Sequence, residues 1–123
     1  MVQTETSQLA TECAEWRQIL RNHKEDLRQR RQLLQEVCKT PLSKSDYQLV
    51  EHFDNQFHIQ LINIHDLKHL IKHHEKKMMF EGDNLPEERY TEHEHLLSEF
   101  ISQENMLLEL RNEFHEFISQ TNC

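Results

Sequence analysis

The sequence predicts an all-α fold, an up-down-up antiparallel three-helix coiled-coil bundle, and three observations carry that prediction. One Gly and two Pro in 123 residues are too few turn residues for a β architecture. Apolar residues recur at alternating spacings of three and four through three long stretches, the pattern of a helix with one buried seam. Two short breaks, one holding Pro41 and the other Gly82 and Pro86, separate those stretches. A chain of this length fits a single domain, 1–123, with helices expected over about 5–38, 44–80 and 86–120.

In the first helix Leu9, Cys13, Trp16, Leu20, His23, Leu27, Arg30, Leu34 and Val37 trace one face without a slip. Arg30 can lay its methylenes along the seam and send its guanidinium to the rim, whereas His23 is too short to do so. The break that follows closes with a strong helix start. Ser43 suits the N-cap, Asp46 the N3 position of a capping box, and Leu42 can meet Tyr47 as a hydrophobic staple.

The second helix carries the most apolar seam. Val50, Phe57, Ile64, Ile71 and Met78 occupy heptad position a, and Phe53, Gln60, Leu67 and His74 position d. Lys76 and Lys77 favour the negative end of its dipole, and Gly82 offers a stop. Pro86, Glu87 and Glu88 then read as N1 to N3 of the third helix. Its seam is His93, Leu96, Phe100, Gln103, Leu107, Leu110, Phe114 and Phe117.

Equal helices of roughly 50 Å joined by tight turns fix a register, because each turn sets which residues lie level. Residue n of helix 2 then lies level with about 83 minus n on helix 1 and 163 minus n on helix 3. His23, Gln60 and Gln103 fall in one layer on this reckoning, and a buried, mutually hydrogen-bonded polar layer is the role it predicts for them.

Net charge is −8, from 22 acidic and 14 basic side chains, which disfavours nucleic acid and anionic lipid as partners. The charge is uneven. Residues 84–123 hold nine carboxylates against Arg89 and Arg111, while helix 1 supplies Arg17, Arg21, Lys24, Arg28, Arg30 and Arg31. Charge matching within the chain, basic helix 1 on acidic helix 3, is the expectation. Cys13, Cys38 and Cys123 make an odd count without CxxC spacing, so free thiols in a reducing cytoplasm are expected. A polar, acidic start and the lack of an 18-residue apolar run predict neither a signal peptide nor a membrane span.

Few constellations suggest chemistry. His65, His69 and His73 stand at i,i+4 intervals that allow two imidazoles to share a metal ion, but the heptad points them outward, and a solvated face is the expectation. The Glu92–His95 stretch matches half of a di-iron carboxylate motif that requires a second copy and a fourth helix. Phosphate-cradling glycine loops and nucleophile elbows are absent. No enzyme activity and no cofactor are therefore expected.

The stretch Val50-Glu51-His52-Phe53-Asp54-Asn55-Gln56-Phe57, with Asp66-Leu67-Lys68-His69, the Trp16 region and Leu33 to Cys38, resembles a family of small uncharacterised helical bacterial proteins. The resemblance implies a cytoplasmic bacterial helical protein and adds no activity to that reading. The functional expectation is a non-catalytic interaction or scaffolding module that self-associates as a homodimer, the alternative being a metal-binding or metal-sensing protein that uses the helix 2 histidines. The expected interface is the outer face of helix 2, where Ile59 and Ile62 lie off the seam beside His58, His65 and His69.

Overall fold

A computed structural model describes residues 5–37 and 41–121 of the chain, and these residues form three α-helices with no strand. Helix α1 spans Glu5–Val37, α2 Lys44–Glu81 and α3 Glu87–Gln120. Cys38 and Cys123 lie outside the described residues. No helix among those residues is long and apolar enough to cross a membrane.

The local signals act at the helix ends. Ser43 caps α2, its side chain accepting from the Asp46 backbone N–H at 3.1 Å, which satisfies one of the free donors of the first turn. Leu42 packs on the core, but Tyr47 is exposed, so the expected staple between them is weak at best on the Tyr47 side. At the far end Gly82 adopts φ 72°, a conformation that favours glycine, and its N–H returns to the Met78 carbonyl at 3.0 Å. Pro86 is the N-cap of α3 rather than its first helical residue, with extended backbone and Glu87 following as the first turn begins.

Contacts between helices rise in number along one helix as they fall along the next. Arg17 meets Glu75 and Arg31 meets Asp54 across α1 and α2. Across α2 and α3, His74 meets Glu92 and Phe53 meets Phe117. The core between them is continuous. Cys13, Trp16, Leu20, Leu27 and Leu34 from α1 close on Phe57, Ile64, Ile71 and Met78 from α2 and on Leu96, Leu107 and Phe114 from α3. At one end it is aromatic, with Phe114 set edge-on against Phe53 and Phe57 at 5.5 and 5.0 Å, an arrangement the ring quadrupoles favour. The other end, where Thr6 Oγ1 donates to the Gly82 carbonyl and Tyr90 to Glu5, is polar.

The expected polar layer forms only in part. Gln103 Nε2 donates to Gln60 Oε1 at 2.6 Å, and both residues are buried. His23 does not join them. It is half-buried, and its Nε2 lies 3.1 Å from Glu104 Oε2 on α3. The reason is register: the helices are offset by about one turn from the spacing the two turns alone suggest, a drift that long glutamine side chains bridge and an imidazole does not.

Charge matching also differs from expectation. Arg17 and Arg31 of α1 pair with α2 carboxylates, Arg28 and Arg30 with carboxylates of α1 itself. No arginine or lysine of α1 pairs with an α3 carboxylate among the described residues, and the α1 side chain that does reach one is His23, at Glu104. Where α1 and α3 meet, the polarity is reversed, with Glu12 facing His93 and Asp26 facing Arg111.

The glutamine pair makes a specific demand on stability. Replacing Gln60 by Leu alone strands the Gln103 amide and is expected to lower unfolding free energy by about 1–3 kcal/mol. Making both positions Leu should recover most of that loss. Chemical denaturation of the two variants checks this, and a Gln60→Leu variant as stable as the parent would mean the pair is not dry.

Candidate metal centre

One turn from the polar end of the core, three residues with metal-ligating side chains come from three different helices into one layer. Cys13 of α1, His74 of α2 and His93 of α3 are 0%, 1% and 5% exposed. Their potential ligand atoms all lie within 4.8 Å of one another. Each sits at a seam position of its own helix, so the pattern that builds the core also aims the three side chains inward.

The rings are oriented by their outer nitrogens. His74 Nδ1 lies 2.5 Å from Glu92 Oε1, and His93 Nε2 lies 2.6 Å from Glu12 Oε2. The inner nitrogens, His74 Nε2 and His93 Nδ1, are 3.0 Å apart, with Cys13 Sγ 3.9 Å from the latter. Trp16 closes one side, its ring 4.7 Å from that of His93 and 5.9 Å from Phe100.

Proton counting exposes a conflict in this arrangement. Three contacts run in series through the two rings, from Glu12 to His93 to His74 to Glu92, and each needs one hydrogen between its heavy atoms. Two neutral imidazoles carry only two. If each ring gives its N–H to its carboxylate, two lone pairs face each other across 3.0 Å. A third proton or a metal ion resolves the conflict. Burial, the largest influence, pushes the His74 pKa below the ordinary imidazole value, against the upward pull of Glu92. Burial would raise Glu92 in turn, but the hydrogen bonds from His74 and Lys77 outweigh it and hold the carboxyl at about 2. The short His74–Glu92 contact holds His74 Nδ1 on the carboxylate and turns its Nε2 inward, towards His93 Nδ1.

The surroundings hold the carboxylates in place. Arg89, itself buried, grips Glu81 with two nitrogens at 2.7 and 3.0 Å and reaches Glu92 at 3.2 Å, while Lys77 meets Glu92 at 3.0 Å. Arg17 grips Glu75 in the same two-pronged way. Four carboxylates, Glu12, Glu75, Glu81 and Glu92, stand against the three cations Arg17, Lys77 and Arg89, leaving one negative charge over. A divalent ion bound to one thiolate carries one positive charge, which matches it.

The donor set suits a borderline or soft transition ion. Two nitrogens and one sulfur on a single zinc ion lie roughly 3.3 Å and 3.6 Å apart, given bonds of about 2.0–2.1 Å to nitrogen and 2.3 Å to sulfur. Two of the three separations, 3.0 and 3.9 Å, are within a few tenths of that, and all three ligand atoms lie within 4.8 Å of one another. An imidazole whose far nitrogen is fixed by a carboxylate is the usual outer shell of such a site. Nucleophilic catalysis fits less well, although Cys13, His93 and Glu12 stand in a thiol–imidazole–carboxylate order. Burial first, then Glu75 and Glu12, push the Cys13 thiol up to about 12, and the sulfur is wholly enclosed.

The histidines singled out in the sequence lie elsewhere. His58, His65, His69 and His73 are all exposed on α2, and none belongs to the buried group. Ile59 and Ile62 are 38% and 46% exposed. Cys13 and His93 were legible as seam residues, and so was His74, but the expected register levels His74 with Leu9 and Arg89, one turn short of its neighbours in the fold. Three ligating residue types on three seams was the available signal. Comparison of the chain with protein-family models, with curated proteins and with solved structures gave no match.

Enclosure of the sulfur has a direct chemical consequence. A thiol reagent should modify native parent protein and native Cys13→Ala protein to the same extent, and in denaturant the variant should react at one fewer thiol. Labelling of Cys13 in the native state would mean that the layer opens to solvent.

Proposed function

We propose that the chain is an up-down-up antiparallel coiled-coil bundle that works in the cytoplasm as a non-catalytic metal-binding module, taking one zinc ion on Cys13 Sγ, His74 Nε2 and His93 Nδ1. The observation that carries this reading is the pair of inner nitrogens 3.0 Å apart, each on a ring whose outer nitrogen is already committed to a carboxylate. A proton can occupy that gap, but a metal ion also recruits the enclosed sulfur. The bundle topology is supported by the counter-running contacts of α1 with α2 and of α2 with α3.

Zinc is favoured over hard cations because thiolate and imidazole are borderline to soft donors, and over redox catalysis because the ligands are enclosed. With ligands from three helices, the ion ties the bundle together at the end opposite the phenylalanine cluster. Binding energy then becomes folding energy, as it does wherever a site exists only in the folded chain. The chemistry expected of such a centre is uptake and release of the ion coupled to the stability of the bundle.

The test uses untagged protein stripped with a chelator and titrated with zinc, read by equilibrium dialysis and by fluorescence of the single tryptophan, Trp16, whose ring lies 4.7 Å from that of His93. One ion per chain is expected, with a change in Trp16 emission and a raised unfolding temperature. Cys13→Ala and His93→Ala should abolish stoichiometric binding, and Glu12→Gln should weaken it by about 10- to 100-fold through loss of ring orientation. Replacing His65, His69 and His73 by Ala should leave it unchanged. Stoichiometric binding that survives loss of Cys13 and His93 but not of the three surface histidines would transfer the site to the outer face of α2.

A further inference from the structure

Cations gather in one groove of this acidic chain. Between α1 and α2 a cavity of about 300 Å³ is lined by Lys24 and Arg28 on one side and His65 and Lys68 on the other, over a floor that includes Leu61 and Ile62. Lys24 and Lys68 take part in no ion pair among the described residues. Lys68 is surrounded by its own kind, and burial first, then Lys24, Arg21, Lys72 and Arg17, lower its pKa. Like charges held together beside apolar surface repel one another, and a partner of opposite charge removes the repulsion.

The complementary surface is on this same chain. Glu94, Glu109 and Glu116 are exposed on α3 and in no ion pair among the described residues. Between them Ile101 and Leu108 are 50% and 53% exposed. Intervals of seven residues keep Glu94, Ile101 and Leu108 on one outward stripe, and Glu109 and Glu116 form a second beside it, about 100° round the helix at Leu108 and Glu109. This face carries apolar and anionic side chains together, and the groove is apolar at its floor and cationic at its rim.

His58, Ile62 and His65, three residues of the interface expected from the sequence, all line this groove. A two-fold pairing of α2 with its own copy would set Lys68 and its neighbours against themselves, which like-charge repulsion opposes. We propose instead that the α1/α2 groove receives the outward face of α3 from a second copy of the chain, a head-to-tail association in which carboxylates meet Lys24, Arg28 and Lys68 while Ile101 and Leu108 cover Leu61 and Ile62. The groove of the second copy stays free, so the contact repeats from copy to copy, into a ring or an open array according to the rotation between copies. The inference is independent of the metal centre, whose residues it does not use.

Sedimentation of the untagged protein tests it. Concentration-dependent association is expected at low salt and should be lost near 1 M salt, where charges are screened beyond about 3 Å. Lys24→Glu with Lys68→Glu should give a monomer, and so should Glu109→Lys with Glu116→Lys. The mixture is decisive, because the reversed groove of one variant is again complementary to the reversed stripe of the other: the association lost by each alone should return when the two are mixed. Removing like-charge repulsion favours folding of the groove variant, and Lys24→Gln with Lys68→Gln, at least tenfold weaker in association than the parent, gives the same reading with a smaller change. A monomeric parent at low salt, a groove variant that associates as the parent does, or variants that stay apart on mixing would each overturn the proposal.

Discussion

The contact between His74 Nε2 and His93 Nδ1, 3.0 Å long inside a layer closed to solvent, is the one on which the polar half of the structure depends. Two imidazoles can be buried this closely only if every nitrogen has a partner, because an unpaired polar group away from water costs about 1–3 kcal/mol. The requirement spreads outward. Glu12 and Glu92 take the outer nitrogens, Lys77 and Arg89 hold Glu92, and Glu81 holds Arg89 in its buried position. Arg17 and Glu75 flank Cys13 in the same shell. Among the described residues no buried side-chain nitrogen or oxygen lacks a partner at hydrogen-bonding distance, and the one hydrogen still owed lies between the two rings.

The two ends of the core solve different problems. At the α1–α2 turn end, Phe53, Phe57, Phe114 and Phe117 fill the layer with apolar volume and ring contacts, with the Arg31–Asp54 ion pair at its edge. At the α2–α3 turn end, ligand atoms and ion pairs set the packing instead. The polar end costs stability unless something is gained there, and under the proposed function that gain is cation capture by Cys13, His74 and His93. The Gln60–Gln103 pair stands between the ends and favours one alignment of α2 on α3 over its neighbours.

The seams were readable because a spacing of three and four depends on nothing but helix geometry. All but a few seam residues are buried, and the three helices begin and end within a residue or so of where Ser43, Gly82 and Pro86 suggest. Levels between helices were harder to read. They depend on tilt and on how each turn is spent, and a shift of one turn moves His23 away from Gln60 and brings Cys13 and His93 to His74. Arg89 shows the same limit: a guanidinium at the start of an acidic helix reads as surface, and only the Glu81 and Glu92 carboxylates arriving from both sides make its burial tolerable. The metal candidates read from His65, His69 and His73 followed from spacing along one helix. The buried group is spaced across three, which no pattern within one helix displays.

The identity of the donor atoms is the central claim, and X-ray absorption at the zinc edge of the reconstituted, untagged protein measures it most directly. The geometry predicts one sulfur at about 2.3 Å with imidazole nitrogens at about 2.0–2.1 Å in the first shell. A first shell of nitrogen and oxygen alone, with no sulfur, would contradict it.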